Sequence, residues 1–379
     1  MESQMKIKTV PDVRHLPTLV LLEVIKLCSD FTTLHSLLLA SRTFASIFND
    51  NARTITEAIM ASSVPEQIQA PMRAVVRIRT RTHGCQNVGE VKDTLLDIKN
   101  MKPLPDIQET ALLRKFVALA HQIHSLTHTC LEYYMEKCQA LKPSRLKDPT
   151  FRYIPVSRKA WPMRPPGERY QLPILNPPSW IEEQGVLMNL WRFQAFYELQ
   201  TARAKQQLGW TSIEIDDLEA MSILDFYDFR VHQLDQLLTV KEFIDDLRQM
   251  THNTQYSKLP QVSSENGCFS LVCSPEPHFE NLRDDKWDQS RWYIDKRTIG
   301  WIFHRMMSIG WRSPLEDSEF TPYRKYGFAI WDRERMVNLG FLPERKSDMV
   351  VNDSPLSFIW RSILSKEEDE AIREASMSR

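Results

Sequence analysis

Three histidines, His121, His124 and His128, recur at i, i+3 and i+7, a spacing that sets their rings on one side of a helix. Imidazoles so grouped could begin a zinc site, which needs three or four protein donors. No cysteine or carboxylate is read as completing the set, so the row reads as a solvated or inter-helix face. Cys268 and Cys273, with His278 behind them, could clip a metal, but the thiols stand five positions apart and a fourth ligand is missing. They read as ordinary loop thiols. Glu214, Asp216, Asp217 and Glu219 could suggest general acid and base chemistry. Adjacent Asp216 and Asp217 face apart on a helix, which spoils a paired-carboxylate geometry. Carboxylates early in a helix also gain from its dipole, so capping and solvation explain them.

Two basic stretches could meet phosphate: Arg73, Arg77, Arg79 and Arg81, and the Lys/Arg-rich segment 143–179. Nucleic-acid binding needs such charges on one exposed face with aromatics between them. With 48 basic against 49 acidic residues the net charge is only −1, so pairing with the acidic segments is the expectation and nucleic acid is not. The six tryptophans Trp287, Trp292, Trp301, Trp311, Trp331 and Trp360 could line a ligand pocket, yet such residues more often anchor a core. No G-x-S-x-G, Walker A, G-x-G-x-x-G or H-E-x-x-H motif occurs. No catalytic residue, cofactor or metal is expected.

The elements that would position these residues are helices. Glycine, at 10 of 379 residues, is too scarce for a fold rich in tight hairpins or phosphate loops. Leu21, Val24, Ile25 and Cys28 fall at i, i+3, i+4 and i+7 after Pro17. Leu34, Leu37 and Leu38 begin a second apolar stripe, and Phe44, Ile47 and Phe48 a third. Residues 51–80 continue as helix broken at Pro65 and Pro71. The longest helix is expected over 106–140, where Leu112, Phe116, Leu119, Ile123, Leu126, Cys130 and Tyr134 repeat at helical spacing. Nine of the 22 prolines lie between Pro143 and Pro178, which excludes regular helix there and favours an extended strap anchored by Trp161, Tyr170, Leu172 and Ile174. Helix resumes at Trp180–Gln207 and again over 212–250, divided near Thr239. Residues 251–286 read as irregular.

The six cysteines form no C-x-x-C pair, so reduced thiols are the simpler reading. The start, Met1 to Lys6, lacks an apolar signal core, and the most apolar stretch, Leu19 to Cys28, is interrupted by Glu23 and Lys26. A cytoplasmic or nuclear protein without membrane association is expected.

Residues 16–48 read LPTLVLLEVIKLCSDFTTLHSLLLASRTFASIF. This stretch resembles the F-box, with a Leu-Pro opening, an apolar helix, a polar break, and then Leu-rich and Ser-Arg-x-Phe segments. Leu16, Pro17, Leu21, Leu22, Ile25, Leu34, Leu37, Ser41 and Phe44 occupy the pattern positions, and Leu19 stands where an acidic residue is usual. Segments around Trp191–Tyr197, Trp210–Asp225 and Tyr326–Phe341 look like those of the large fungal families of F-box-like proteins. The resemblance implies that the N-terminal helices dock onto the Skp-type linker subunit of a cullin ubiquitin ligase through Leu16, Pro17, Leu21, Leu22, Ile25, Leu34, Leu37 and Phe44, while the rest of the chain selects a protein substrate.

The expectation is therefore a mainly α protein: a three-helix F-box-like module at 12–60, a helical segment at 61–142, a proline-rich strap or linker at 143–179, a Trp-rich helical region at 180–364 and a charged tail at 365–379. Strands should be few or absent. The expected function is that of a non-enzymatic substrate adaptor. A helical scaffold that kept the architecture without ligase coupling, and an enzyme with an unrecognised site among the tryptophans, are the alternatives.

Overall fold

The computed structural model describes residues 16–81, 84–106, 109–147, 167–227, 229, 231–251, 258–261, 320–342 and 358–378. Among them are thirteen α-helices and a single two-stranded antiparallel sheet, so the fold is mainly α as the glycine scarcity and apolar periods require. No helix among the described residues is long and apolar enough to cross a membrane. The chain divides into two compact units, one of residues up to 124 together with 197–219, the other of 125–196 together with 220 onward.

The first unit opens with α1 (Thr18–Lys26), α2 (Phe31–Ala40) and α3 (Arg42–Ser63). Each start has a local cause. Pro17, fixed in φ, sits at the N-cap of α1, where a missing N–H costs nothing. The Asp30 carboxylate caps α2 by accepting from Thr33 N at 2.6 Å, and the Ser41 hydroxyl caps α3 by accepting from Phe44 N at 3.5 Å. Both α1 and α2 pack on α3. Leu21 and Ile25 from α1, Phe31 and Leu34 from α2, and Phe44, Ile47 and Phe48 from α3 are buried. α3 bends at Asn51, whose backbone leaves the helical region while its amide donates to Ile47 O at 3.1 Å.

The helix expected to break at Pro71 does not. α4 (Glu66–Arg79) begins behind Pro65 and carries Pro71 inside it. A proline there withdraws one N–H from the Gln67 carbonyl, but Ile68, Ala70, Met72, Val75 and Val76 are all buried around it. At about 1.5–3 kcal/mol for each fully buried large apolar side chain, that packing outweighs one lost hydrogen bond. α5 (Val88–Leu95) is capped by Asn87, which accepts from Glu90 N at 2.8 Å. α8 (Ser212–Ala220) follows the Trp210 indole, which donates to Cys85 O at 2.7 Å.

α6 (Thr110–Gln139) and α7 (Trp180–Ala204) are the two longest helices among the described residues. In the second unit, Leu126, Cys130, Leu131 and Tyr134 of α6 are buried, and the Tyr134 hydroxyl donates to Thr239 O at 2.6 Å. The break expected near Thr239 is absent, since α10 (Val231–Met250) runs straight through it. The Thr239 hydroxyl folds back onto Asp235 O at 2.7 Å, satisfying itself within the helix. The true division precedes α10: Ser222 and Asp225 form a capping box that starts the short α9 (Ile223–Phe226).

Part of the proline-rich strap is ordered as strand. β1 (Ser144–Leu146) pairs antiparallel with β2 (Gly167–Arg169), Arg145 opposite Glu168, and the Arg145 Nε donates to that carboxylate at 2.8 Å. Trp161 lies outside the described residues. Ile174 is exposed, whereas Leu172 is buried and the Tyr170 hydroxyl donates to Leu339 O at 3.1 Å. α11 (Thr321–Arg324) and α12 (Arg333–Asn338) enclose the turn at Gly327. Around them Tyr323, Phe328, Phe341, Phe358 and Trp360 form one aromatic cluster, with ring centroids 4.4 Å apart for Phe341 and Phe358 and 5.1 Å apart for Phe358 and Trp360. Trp331 and Trp360 are thus core residues, and the other four tryptophans of that region lie outside the described residues.

The charged tail forms helix α13 (Lys366–Ser378), with Lys366, Glu367, Glu370 and Glu374 exposed. Ser365 Oγ accepts from Glu368 N at 3.2 Å and the Glu368 carboxylate accepts from Ser365 N at 2.8 Å, so the acidic run is a capping box at a positive helix end. Asp369 and Ile372 are buried, with Arg361 Nε 2.7 Å from Asp369.

Candidate docking surface

α1 presents two apolar stripes, and its own neighbours cover one. Leu21 and Ile25 face α3 and are buried. Val20 and Val24, at i and i+4 on the helix, point away from that face and are exposed, as are Leu16, two residues before the helix, and the C-cap Leu27. Leu19, beside them, is 76% exposed and Leu27 is 82% exposed. Glu23 falls among these residues and is held by Lys26 Nζ at 2.7 Å. An i, i+3 ion pair on the surface contributes little to stability, so it can open at low cost. Several large apolar side chains exposed together on and beside one short helix are unusual on a protein surface.

The eight residues picked from the sequence therefore divide. Leu16 and Pro17 are exposed, Leu22 and Leu37 are half-buried, and Leu21, Ile25, Leu34 and Phe44 form the core of the three-helix module. Leu19, Val20, Val24 and Leu27 were missed as surface residues. The signal was present, because the apolar residues of α1 spread too widely round the helix for one neighbour to cover them all.

Two of the three histidines contact a second helix within their own unit. Within the first unit the His121 ring stacks on His35 with centroids 4.5 Å apart. Within the second, His128 Nε2 lies 2.9 Å from Glu183 Oε1, both side chains buried. The carboxylate that the histidine row lacked in sequence is supplied to His128 by α7, 55 residues on. Each of these two rings thus meets a different helix, as an inter-helix face would. Asp216 and Asp217 are exposed, and Glu219 pairs with Arg203 at 2.6 Å. Cys268, Cys273 and His278 lie outside the described residues. Arg73 makes a two-pronged pair with Glu57 at 2.7 and 2.8 Å, and Arg79 pairs with Glu198. The guanidinium of Arg73 and a backbone N–H from Leu104 hold the Glu57 carboxyl below its ordinary value although burial opposes them.

The described thiols are not poised for chemistry. Cys28, Cys85, Cys130 and Cys138 are in no disulfide and are buried. Burial raises the pKa of all four, that of Cys138 to about 12, so little nucleophilic thiolate forms at neutral pH. No family model, curated protein or solved structure matches the chain.

Proposed function

We propose that this protein is a non-enzymatic substrate adaptor of a cullin-type ubiquitin ligase that docks through α1 of its N-terminal helices. The observation that carries the reading is the exposed apolar set of Leu19, Val20 and Val24 on α1, with Leu16 and Leu27 at its two ends, in a stretch whose sequence resembles an F-box. The occupant is a Skp-type linker whose apolar helical surface covers this set, and Leu19 adds apolar area where the pattern usually has an acid. Docking is confined to the free face, because Leu21 and Ile25 are used internally. The remainder of the chain selects a protein substrate, in the cytoplasm or nucleus.

The test is co-purification of the full chain with a Skp-type linker, alongside a Leu19→Asp, Val24→Asp variant. Both positions are exposed, so circular dichroism should show an unchanged helix content. Binding should weaken by at least about thirty-fold, corresponding to about 2 kcal/mol for apolar side chains denied burial. Leu21→Asp is the wrong probe, since it introduces a charge into the core and unfolds the module. A well-folded wild type that fails to bind the linker sinks the ligase reading and leaves a helical scaffold.

A further inference from the structure

α2 and α6 meet within the first unit through two ring pairs. Phe31 stands edge-on to Phe116 with centroids 5.7 Å apart. One turn along α2, the imidazole of His35 lies almost flat on that of His121, with centroids 4.5 Å apart and planes 15° from parallel. The His121 Nδ1 is 3.5 Å from the Thr32 hydroxyl, again on α2. Both rings are half-buried, so water reaches them without fully screening them.

We propose that the His35–His121 stack is an acid-released clamp that holds α2, and with it the N-terminal helical module, against α6 at neutral pH. Two neutral imidazoles stack readily, and one imidazolium can still rest on the π face of a neutral ring. Two imidazolium ions cannot, because their charges face each other across a few ångströms of partly desolvated space. When the second proton arrives the rings part, and α2 loosens from α6.

The charges around the pair give this the same direction. Burial lowers the pKa of His35, and His121 lowers it further. Burial also lowers that of His121, His124 adds to the effect from the same helix, and Asp30, the N-cap of α2, opposes it. A histidine whose folded pKa lies below its unfolded value binds fewer protons when folded. The clamp is therefore intact above the ordinary imidazole value of about 6.5 and weakens as pH falls below it. This holds whether or not the module docks on a ligase.

Hydrogen exchange of the full chain at pH 7.5 and 5.5, corrected for intrinsic rates, tests it. Amides of α2 should open at least about tenfold more at pH 5.5, the factor for one pKa unit, while those of α10 keep their protection. In His35→Phe, which keeps a stacked ring but no titrating proton, the α2 increase should vanish. Equal α2 opening at both pH values overturns the proposal, and so does the same increase in His35→Phe. If that variant does not fold, proton NMR of the wild-type imidazoles decides. His35 and His121 titrating below the ordinary value support the clamp, whereas both titrating at about 6.5 overturn it.

Discussion

Replacing Arg335 by Met should lower the unfolding free energy by about 3–5 kcal/mol at pH 8, the range for stranding one member of a buried ion pair. Glu182 has no exposed surface, and its carboxylate accepts from Arg335 Nε and Nη2, each at 2.7 Å, and from Asp332 N at 2.9 Å. The same carboxylate accepts from Ser179 N at 2.9 Å and so caps α7. Arg335 reaches further, donating to Asn176 O at 2.9 Å and Pro177 O at 3.0 Å, and its guanidinium lies 4.8 Å over the Trp331 ring. One guanidinium thus joins α12, the start of α7 and the end of the proline-rich strap.

The loss should depend on pH with a definite sign. Burial already raises the Glu182 carboxyl above its ordinary value, and Arg335 pulls it back down. Without the guanidinium the folded pKa rises further above the unfolded one. The folded state then favours the protonated acid, so the variant is least impaired at about pH 5, near the ordinary carboxyl value, and loses stability as pH rises through the folded pKa. Urea denaturation of wild type and variant between pH 5 and 8 measures this. A loss that is the same at every pH would mean that only packing had been removed. Adding Glu182→Gln, which keeps a cap acceptor but no charge, should recover much of the loss at pH 8.

Gly327→Ala should cost about 2–5 kcal/mol, from two sources. Gly327 has φ +76°, and an added Cβ would stand 2.8 Å from Trp331 Cε2 and 2.9 Å from Tyr134 Cβ. The left-handed backbone costs about 1–2 kcal/mol in any residue with a Cβ, and forcing atoms into a filled core adds about 1–3 kcal/mol. Gly209 separates the two. It has φ +69° with nothing within 4 Å of the added Cβ, so Gly209→Ala should show the backbone cost alone. Equal denaturation midpoints for the two variants would remove the packing contribution.

What was legible in the sequence was local. The first three helix starts and the apolar stripes of α1, α3 and α6 follow from spacing and capping chemistry within a few residues. Errors arose where distant groups decide. Pro71 stays helical because buried neighbours surround it, and in the largely exposed tail Asp369 and Ile372 are buried, Asp369 against Arg361. The Glu182–Arg335 pair joins residues 153 positions apart, a separation at which no periodicity speaks. Of the docking residues that the F-box resemblance implied, Leu21 and Ile25 are buried in the module, whereas Val20 and Val24 of the same helix are exposed.

The four buried thiols among the described residues give the molecule built-in reporters of its own opening. Cys28 and Cys85 belong to one unit, Cys130 and Cys138 to the other. A sealed, protonated sulfur is inert to an alkylating reagent, but in an opened segment it regains an ordinary thiol pKa of about 8.5 and reacts. The order in which the two pairs acquire label during a brief pulse then records whether the units open together or in turn, without any engineered probe.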